Sequence, residues 1–146
     1  MNREIKLIEF PEKIIPKEWR KEHDITLLEI GGKCEVLENL LQMYKDSRKD
    51  FKSLISTIKM QLESEHLLRN RNRLQRGKSK EQKDIIEFKA PKGHARLFGF
   101  IDGNNGKIIV CTNTYWKTSG NKKEQNNAFN KAANLKRMYF EAQKGE

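Results

Sequence analysis

The sequence predicts an α+β domain: an antiparallel β-sheet, a three-stranded meander plus an N-terminal strand, with an N-terminal helical hairpin and a C-terminal helix. Three observations predict it. Residues 84–114 hold apolar-rich runs separated by two turn-rich breaks, Ala90-Pro91-Lys92-Gly93 and Asp102-Gly103-Asn104-Asn105-Gly106. Residues 37–62 and 122–144 instead place apolar side chains at steps of three and four. The chain has 146 residues and no internal repeat or low-complexity tract, which fits a single domain with a modest core.

In chain order, residues 1–33 form an N-terminal extension and strand. Residues 3–10 (REIKLIEF) and 25–30 (ITLLEI) are both strand candidates, and periodicity does not decide which joins the main sheet. The connection between them, residues 11–24, carries two prolines and mixed charge and reads as irregular. Residues 34–68 form the hairpin. Leu37, Leu41, Tyr44, Phe51, Ile55, Ile58 and Leu62 stay in phase, interrupted by Arg48. That phase also suits one long helix, but Lys45-Asp46-Ser47 supplies a break and an N-cap. Residues 69–83 are a basic loop in which Arg69, Arg71, Arg73, Arg76, Lys78, Lys80 and Lys83 stand against a single acid, Glu81. The meander occupies 84–114, with strands at 84–89, 94–101 and 107–114. In the final helix, 122–144, Ala128, Ala132, Leu135, Tyr139 and Ala142 face the sheet, the alanines allowing close approach.

Register makes the meander informative. A turn at 90–93 sets Lys89 opposite His94 and Glu87 opposite Arg96; a loop at 102–106 sets Arg96 opposite Thr112 and His94 opposite Thr114. Alternation then gathers Glu87, Lys89, His94, Arg96, Thr112 and Thr114 on one face, which becomes apolar through Phe98, Phe100, Ile108 and Val110. Ile86, Phe88, Ala95, Leu97, Ile101, Ile109 and Cys111 take the other face and meet helices. A polar, basic cluster at one end of one face, beside Lys117, has the character of a site.

The formal net charge of +10 favours polyanionic partners, nucleic acid before membrane, and also allows an acidic protein. Cys34 and Cys111 lack metal-ligand spacing and read as buried thiols in a reducing compartment. No apolar run approaches membrane-helix length and the N-terminus has no signal-peptide core, so the expectation is a cytoplasmic protein. There is no phosphate-binding glycine loop, dinucleotide fingerprint, zinc spacing, nucleophile elbow or two-metal carboxylate cluster. With 3 histidines, His23, His66 and His94, chemistry would fall to lysine, arginine, tyrosine and one histidine. Cations of that kind suit an anionic phosphorane. The basic run 69–83 suits a phosphate-backbone clamp, through Arg69, Arg71, Arg73, Arg76 and Lys78, or equally a solvated segment.

The order of helix, helix, basic loop, meander and C-terminal helix resembles the RelE/HigB superfamily of bacterial toxins, most closely its phage-derived, HigB-like branch. Ile86 to Lys89 (IEFK) resembles the branch's first meander strand with Lys89 at an arginine position, and Ala95 to Phe100 (ARLFGF) resembles the second. Tyr115, Trp116 and Lys117 match the segment after the third strand, whereas Thr118 replaces a second lysine and a following proline is missing. The resemblance covers about residues 84–140, with weaker agreement from about 34; residues 1–24 have no counterpart. It implies the toxin of a toxin–antitoxin pair: a metal-independent endoribonuclease, without cofactor, cutting mRNA commonly on the ribosome and restrained by an antitoxin protein. A 2′-hydroxyl attacks the adjacent phosphate and leaves a cyclic phosphate. Carried over by position, Lys89, Arg96 and Lys117 take the family's basic positions, Arg96 and Lys117 as phosphate and phosphorane binders and Lys89 as a binder or a proton carrier. His94 joins them as acid or base because an unperturbed imidazole titrates near neutrality. Tyr115 and Trp116 stack on bases. Plainer roles compete: an Arg96–Glu87 ion pair, a turn-flanking His94, core packing for both rings. A non-catalytic nucleic-acid-binding module, or an interaction protein docking an acidic partner, fits the same scaffold.

Overall fold

Both N-terminal apolar runs become strands, and both enter the same sheet. The computed structural model describes residues 4–102, 107–118 and 122–145. Strands β1 (Ile5–Glu9) and β2 (Asp24–Ile30) pair antiparallel, and β2 then runs parallel to β6 (Ile108–Trp116) with Leu27 beside Cys111. Strands β5 (Ala95–Ile101), β4 (Ile85–Lys89) and β3 (Leu74–Arg76) follow, giving the order β1-β2-β6-β5-β4-β3. The sheet is therefore six-stranded and mixed, which corrects the expected antiparallel sheet of a meander and one N-terminal strand. The physical reason lies in β2, which is buried on both faces: Leu27 joins one core and Leu28 the other. Such a strand reads as a short apolar run that says nothing about its neighbour or direction.

The segment 69–83 is not a plain loop either. Leu74 is buried against the core and brings Gln75 opposite Glu87, so β3 adds an edge strand inside the basic run, followed by a 3₁₀ turn at Lys80–Gln82. Three residues are too few for a periodic signal.

Helices α1 (Glu35–Asp46) and α2 (Arg48–Glu63) meet at Ser47 alone. One residue is shorter than the connections that fold two helices back on each other, so they form a corner: α1 lies over β2 and β6, α2 over β4 and β5. Ser47 takes the expected N-cap position of α2 at the expected break, but makes no capping bond through its side chain. Arg48 leaves the apolar stripe to lie 4.0 Å over the Tyr44 ring. Beneath the corner sit Ile86, Phe88, Ala95, Leu97, Ile109 and Cys111. Helix α3 (Lys122–Lys144) covers the opposite face, where Ala128, Phe129, Ala132 and Tyr139 meet Phe98, Phe100 and Val110.

Within the meander Lys89, not Glu87, lies opposite Arg96. The slip is two residues, so it preserves side-chain parity and keeps Glu87, Lys89 and Arg96 on one face. On β6 parity changes. A bulge sets Phe98 opposite Asn113 but Gly99 opposite Cys111, and the extra residue brings Asn113 and then Tyr115 to α3's side, where Thr112 Oγ1 donates to Asn113 Oδ1 at 2.6 Å, so that Thr114 leaves that face. Thr114 instead accepts from Asn39 of α1. A Cβ on Gly99 would come within 2.5 Å of the Val110 carbonyl, so the bulge depends on glycine. The loop residues 103–106 lie outside the described residues. Among those described, no helix is long and apolar enough to cross a membrane.

Candidate functional site

Strands β3 and β4, the end of β6 and the first turns of α3 surround a cleft of about 470 Å³. Five cationic residues line it: Arg76, Lys78, Lys89, Lys117 and Lys122. Amides from Gln75, Gln82, Gln125 and Asn126 fill the wall between them, and no aspartate or glutamate is among its described lining residues. Each position has a local cause. Alternation on β4 turns Lys89 to α3's side, and β3 brings Gln75 across from Glu87. Lys117 continues the β5–β6 ladder through its backbone N–H to the His94 carbonyl at 2.8 Å. The N-terminus of α3 supplies Lys122, Gln125 and Asn126 together with the positive end of a 23-residue helix.

Beneath the cleft is a hydrogen-bonded polar layer. Lys89 Nζ donates to Gln75 Oε1 at 2.8 Å, and Gln125 Nε2 donates to Glu87 Oε1 at 2.8 Å. Glu87 is fully buried, and its Oε2 faces Arg96 Nε at 3.9 Å with no hydrogen-bond partner on either atom. Burial raises the Glu87 pKa against the Gln125 bond and the nearby cations, and lowers that of Arg96 against Glu87. Both partners shift toward their neutral forms, so desolvation outweighs attraction at this separation. Lys89 is pushed below the ordinary lysine value by burial, with the like charges of Arg96 and Lys117 acting in the same direction and Glu87 opposing. A partly shielded lysine with a lowered pKa can hold or release a proton nearer neutrality than a surface lysine.

The residues expected to act together are divided. Lys89, Lys117, Arg76 and Lys78 reach the cleft. Arg69 and Arg71 line a neighbouring depression along the outer side of β3, shared with Arg76 and Lys78. Arg73 turns inward, donating to Thr57 Oγ1 on α2 at 3.0 Å. Arg96 is only 8% exposed and is held below the surface. Its Nη1 donates to the carbonyls of Gly93 at 3.1 Å and Ala95 at 2.9 Å, so it braces the β4–β5 turn. His94 lies outside the cleft lining: its Nδ1–H donates to the Lys117 carbonyl at 2.6 Å, and its ring rests against Trp116. Tyr115 donates to Glu124 Oε2 at 3.1 Å, and Trp116 is exposed on α1's side.

Sequence reasoning missed Lys122, Gln75, Gln82, Gln125 and Asn126. The steps from 122 to 125 and 126 are those of one helix face, and that spacing was the available signal. Among the described residues no group of three His, Cys, Asp or Glu is placed to hold a metal ion. Cys34 and Cys111 are buried free thiols, each with its pKa raised by burial. No family model, curated protein or solved structure matches this chain.

Proposed function

We propose that this protein binds single-stranded RNA through the cleft and cleaves it without a metal, as the toxin of a toxin–antitoxin pair acting on mRNA in the cytoplasm. The observation that carries the reading is the cleft: five cations and a helix N-terminus around one space, without an opposing carboxylate in its described lining. A phosphodiester needs such donors for the ground state, and a phosphorane, with more negative charge, needs them more. The likeness of residues 84–140 to the RelE/HigB toxins supports the same chemistry.

In this reaction the 2′-oxygen bonds to phosphorus as the bond to the 5′-oxygen breaks, leaving a 2′,3′-cyclic phosphate. The neutral fraction of Lys89, enlarged by its lowered pKa, takes the 2′-proton. The Lys117 ammonium gives a proton to the departing 5′-oxygen. Arg76, Lys78 and Lys122 hold the phosphate and its neighbours. Arg96 is a positioning residue, bracing the turn that follows Lys89 through the Gly93 carbonyl and facing the buried Glu87. An antitoxin would restrain the toxin by covering this basic face.

The second reading is a nucleic-acid-binding module that does not cut. It is favoured by the diversion of Arg96 and His94 from the cleft and by Thr118 standing where the resemblance has a lysine. Incubating RNA with the protein in excess chelator separates the two. Fragments ending in cyclic phosphate support the nuclease; intact RNA held in a salt-sensitive complex supports the binder.

A further inference from the structure

Strand alternation sends the last two residues of β6 apart: Tyr115 lies opposite Arg96, whereas Trp116 lies opposite Ala95 and borders α1. The Trp116 indole is 39% exposed; among the described residues only Met60 is another large hydrophobic side chain left so open. The ring is fixed in advance. His94 lies against it with centroids 5.4 Å apart, and His94 is tied by its ring to the Lys117 carbonyl and by its backbone N–H to Asp50. An aromatic platform that is already ordered loses little entropy when a flat ligand stacks on it.

Beside it is a depression of about 320 Å³ with Met43 and Thr114 in its lining. Its α1 wall carries Asn39, Gln42 and Asp46, exposed side chains at steps of three and four that share one helix face. Hydrogen bonds assign their amides. Asn39 Nδ2 donates to Thr114 Oγ1 at 2.9 Å, and Gln42 Nε2 donates to Asp46 Oδ2. Each amide keeps its second N–H and the Thr114 hydroxyl its proton, so the group on this wall that can only accept is the Asp46 carboxylate, with Oδ1 left for a ligand.

We infer that this depression is a nucleobase subsite selecting guanine, with Trp116 as the stacking platform and Asp46 as acceptor for the base edge. The inference rests on the RNA reading above and extends it to base choice. Guanine presents two neighbouring donors, N1–H and the N2 amino group, and a carboxylate can accept both. Uracil offers one N–H between two carbonyls. Adenine and cytosine offer an amino group beside a ring acceptor, which would face the Asp46 carboxylate unpaired. Trp116 and Lys117 are consecutive at the end of β6 but border opposite sides of the sheet, so an RNA with a base here and a phosphate in the cleft would pass around that end of the sheet.

The test measures affinity for hexamers of 2′-fluoro RNA, which cannot be cut by 2′-hydroxyl attack. All-uracil hexamers are compared with hexamers carrying one guanine, adenine or cytosine. The guanine hexamer is expected to bind about tenfold tighter, as a good bidentate base contact allows. Asp46→Asn should remove that preference and leave uracil binding unchanged; Trp116→Ala should remove it too. Both positions are exposed, and unfolding midpoints equal to wild type will show that the variants fold. Equal affinity for the four hexamers, or a guanine preference that survives Asp46→Asn, overturns the subsite while leaving the cleft reading intact. Absence of binding by every hexamer, all-uracil included, removes the RNA reading and the subsite with it.

Discussion

Arg76→Gln and Arg73→Gln, two neighbours in one arginine run, should separate in a single experiment. Arg76 is exposed and lines the cleft, whereas Arg73 is committed to Thr57 on α2. Each cation that meets a phosphate of a single strand contributes about 0.7 to the slope of log affinity against log salt. Five cleft cations therefore give a slope of about 3.5. Between about 50 and 200 mM salt the wild type should lose roughly 130-fold in affinity for a short RNA, and Arg76→Gln only about 50-fold. Arg73→Gln should keep the wild-type slope and lose about 1 kcal/mol of stability, because it gives up one partly buried hydrogen bond. Fluorescence anisotropy across a salt series, with urea unfolding alongside, measures both quantities. An unchanged slope in Arg76→Gln, or an equal fall in Arg73→Gln, would refute the assignment of the cleft as the phosphate contact.

Arg96→Ala should lower stability by about 3 kcal/mol in urea unfolding, since it strands a buried Glu87, while Lys117→Ala should leave the urea midpoint unchanged and relieve growth arrest on expression in bacteria. Gly99→Ala should cost about 1–3 kcal/mol, read from the same curves, because its Cβ would meet backbone at the bulge rather than a movable side chain. Glu87→Gln tests the buried carboxyl through pH. Burial holds the native Glu87 pKa above its unfolded value, so the native state binds the extra proton between the two values and stability falls as pH rises through that window. Lowering the pH from neutrality toward the ordinary glutamate range should thus raise wild-type stability relative to Glu87→Gln. The opposite trend would mean that attraction to Arg96 outweighs desolvation.

Much of the chain was legible where the physics is local. Alternation put Ile86, Phe88, Leu97 and Cys111 beneath one helical layer and Phe98, Phe100 and Val110 beneath the other, and steps of three and four found the apolar faces of the helices. The illegible parts are non-local or short. Nothing in ITLLEI states that its neighbour is a strand about eighty residues later, running parallel. Leu74-Gln75-Arg76 carries too little pattern to stand out from the arginines around it. One inserted residue opposite Phe98 and Gly99 added Asn113 to Thr112's face and exchanged Thr114 for Tyr115, which a uniform register cannot foresee. The site shows the same division. Lys89 and Lys117 reach the cleft as read from strand parity and spacing, but whether a cation lines a cleft or braces a turn depends on carbonyls such as that of Gly93, which sequence does not reveal.

In the proposed reaction Lys89 moves the proton, and His94 stands outside the cleft. Single-turnover cleavage at saturating RNA, in chelator, tests this directly in Lys89→Met and His94→Gln. Lys89→Met should lose about 10²–10⁴ in rate, the usual contribution of a general acid or base, and His94→Gln should stay within a few-fold of wild type. Full activity in Lys89→Met, with the large loss in His94→Gln instead, would contradict the account.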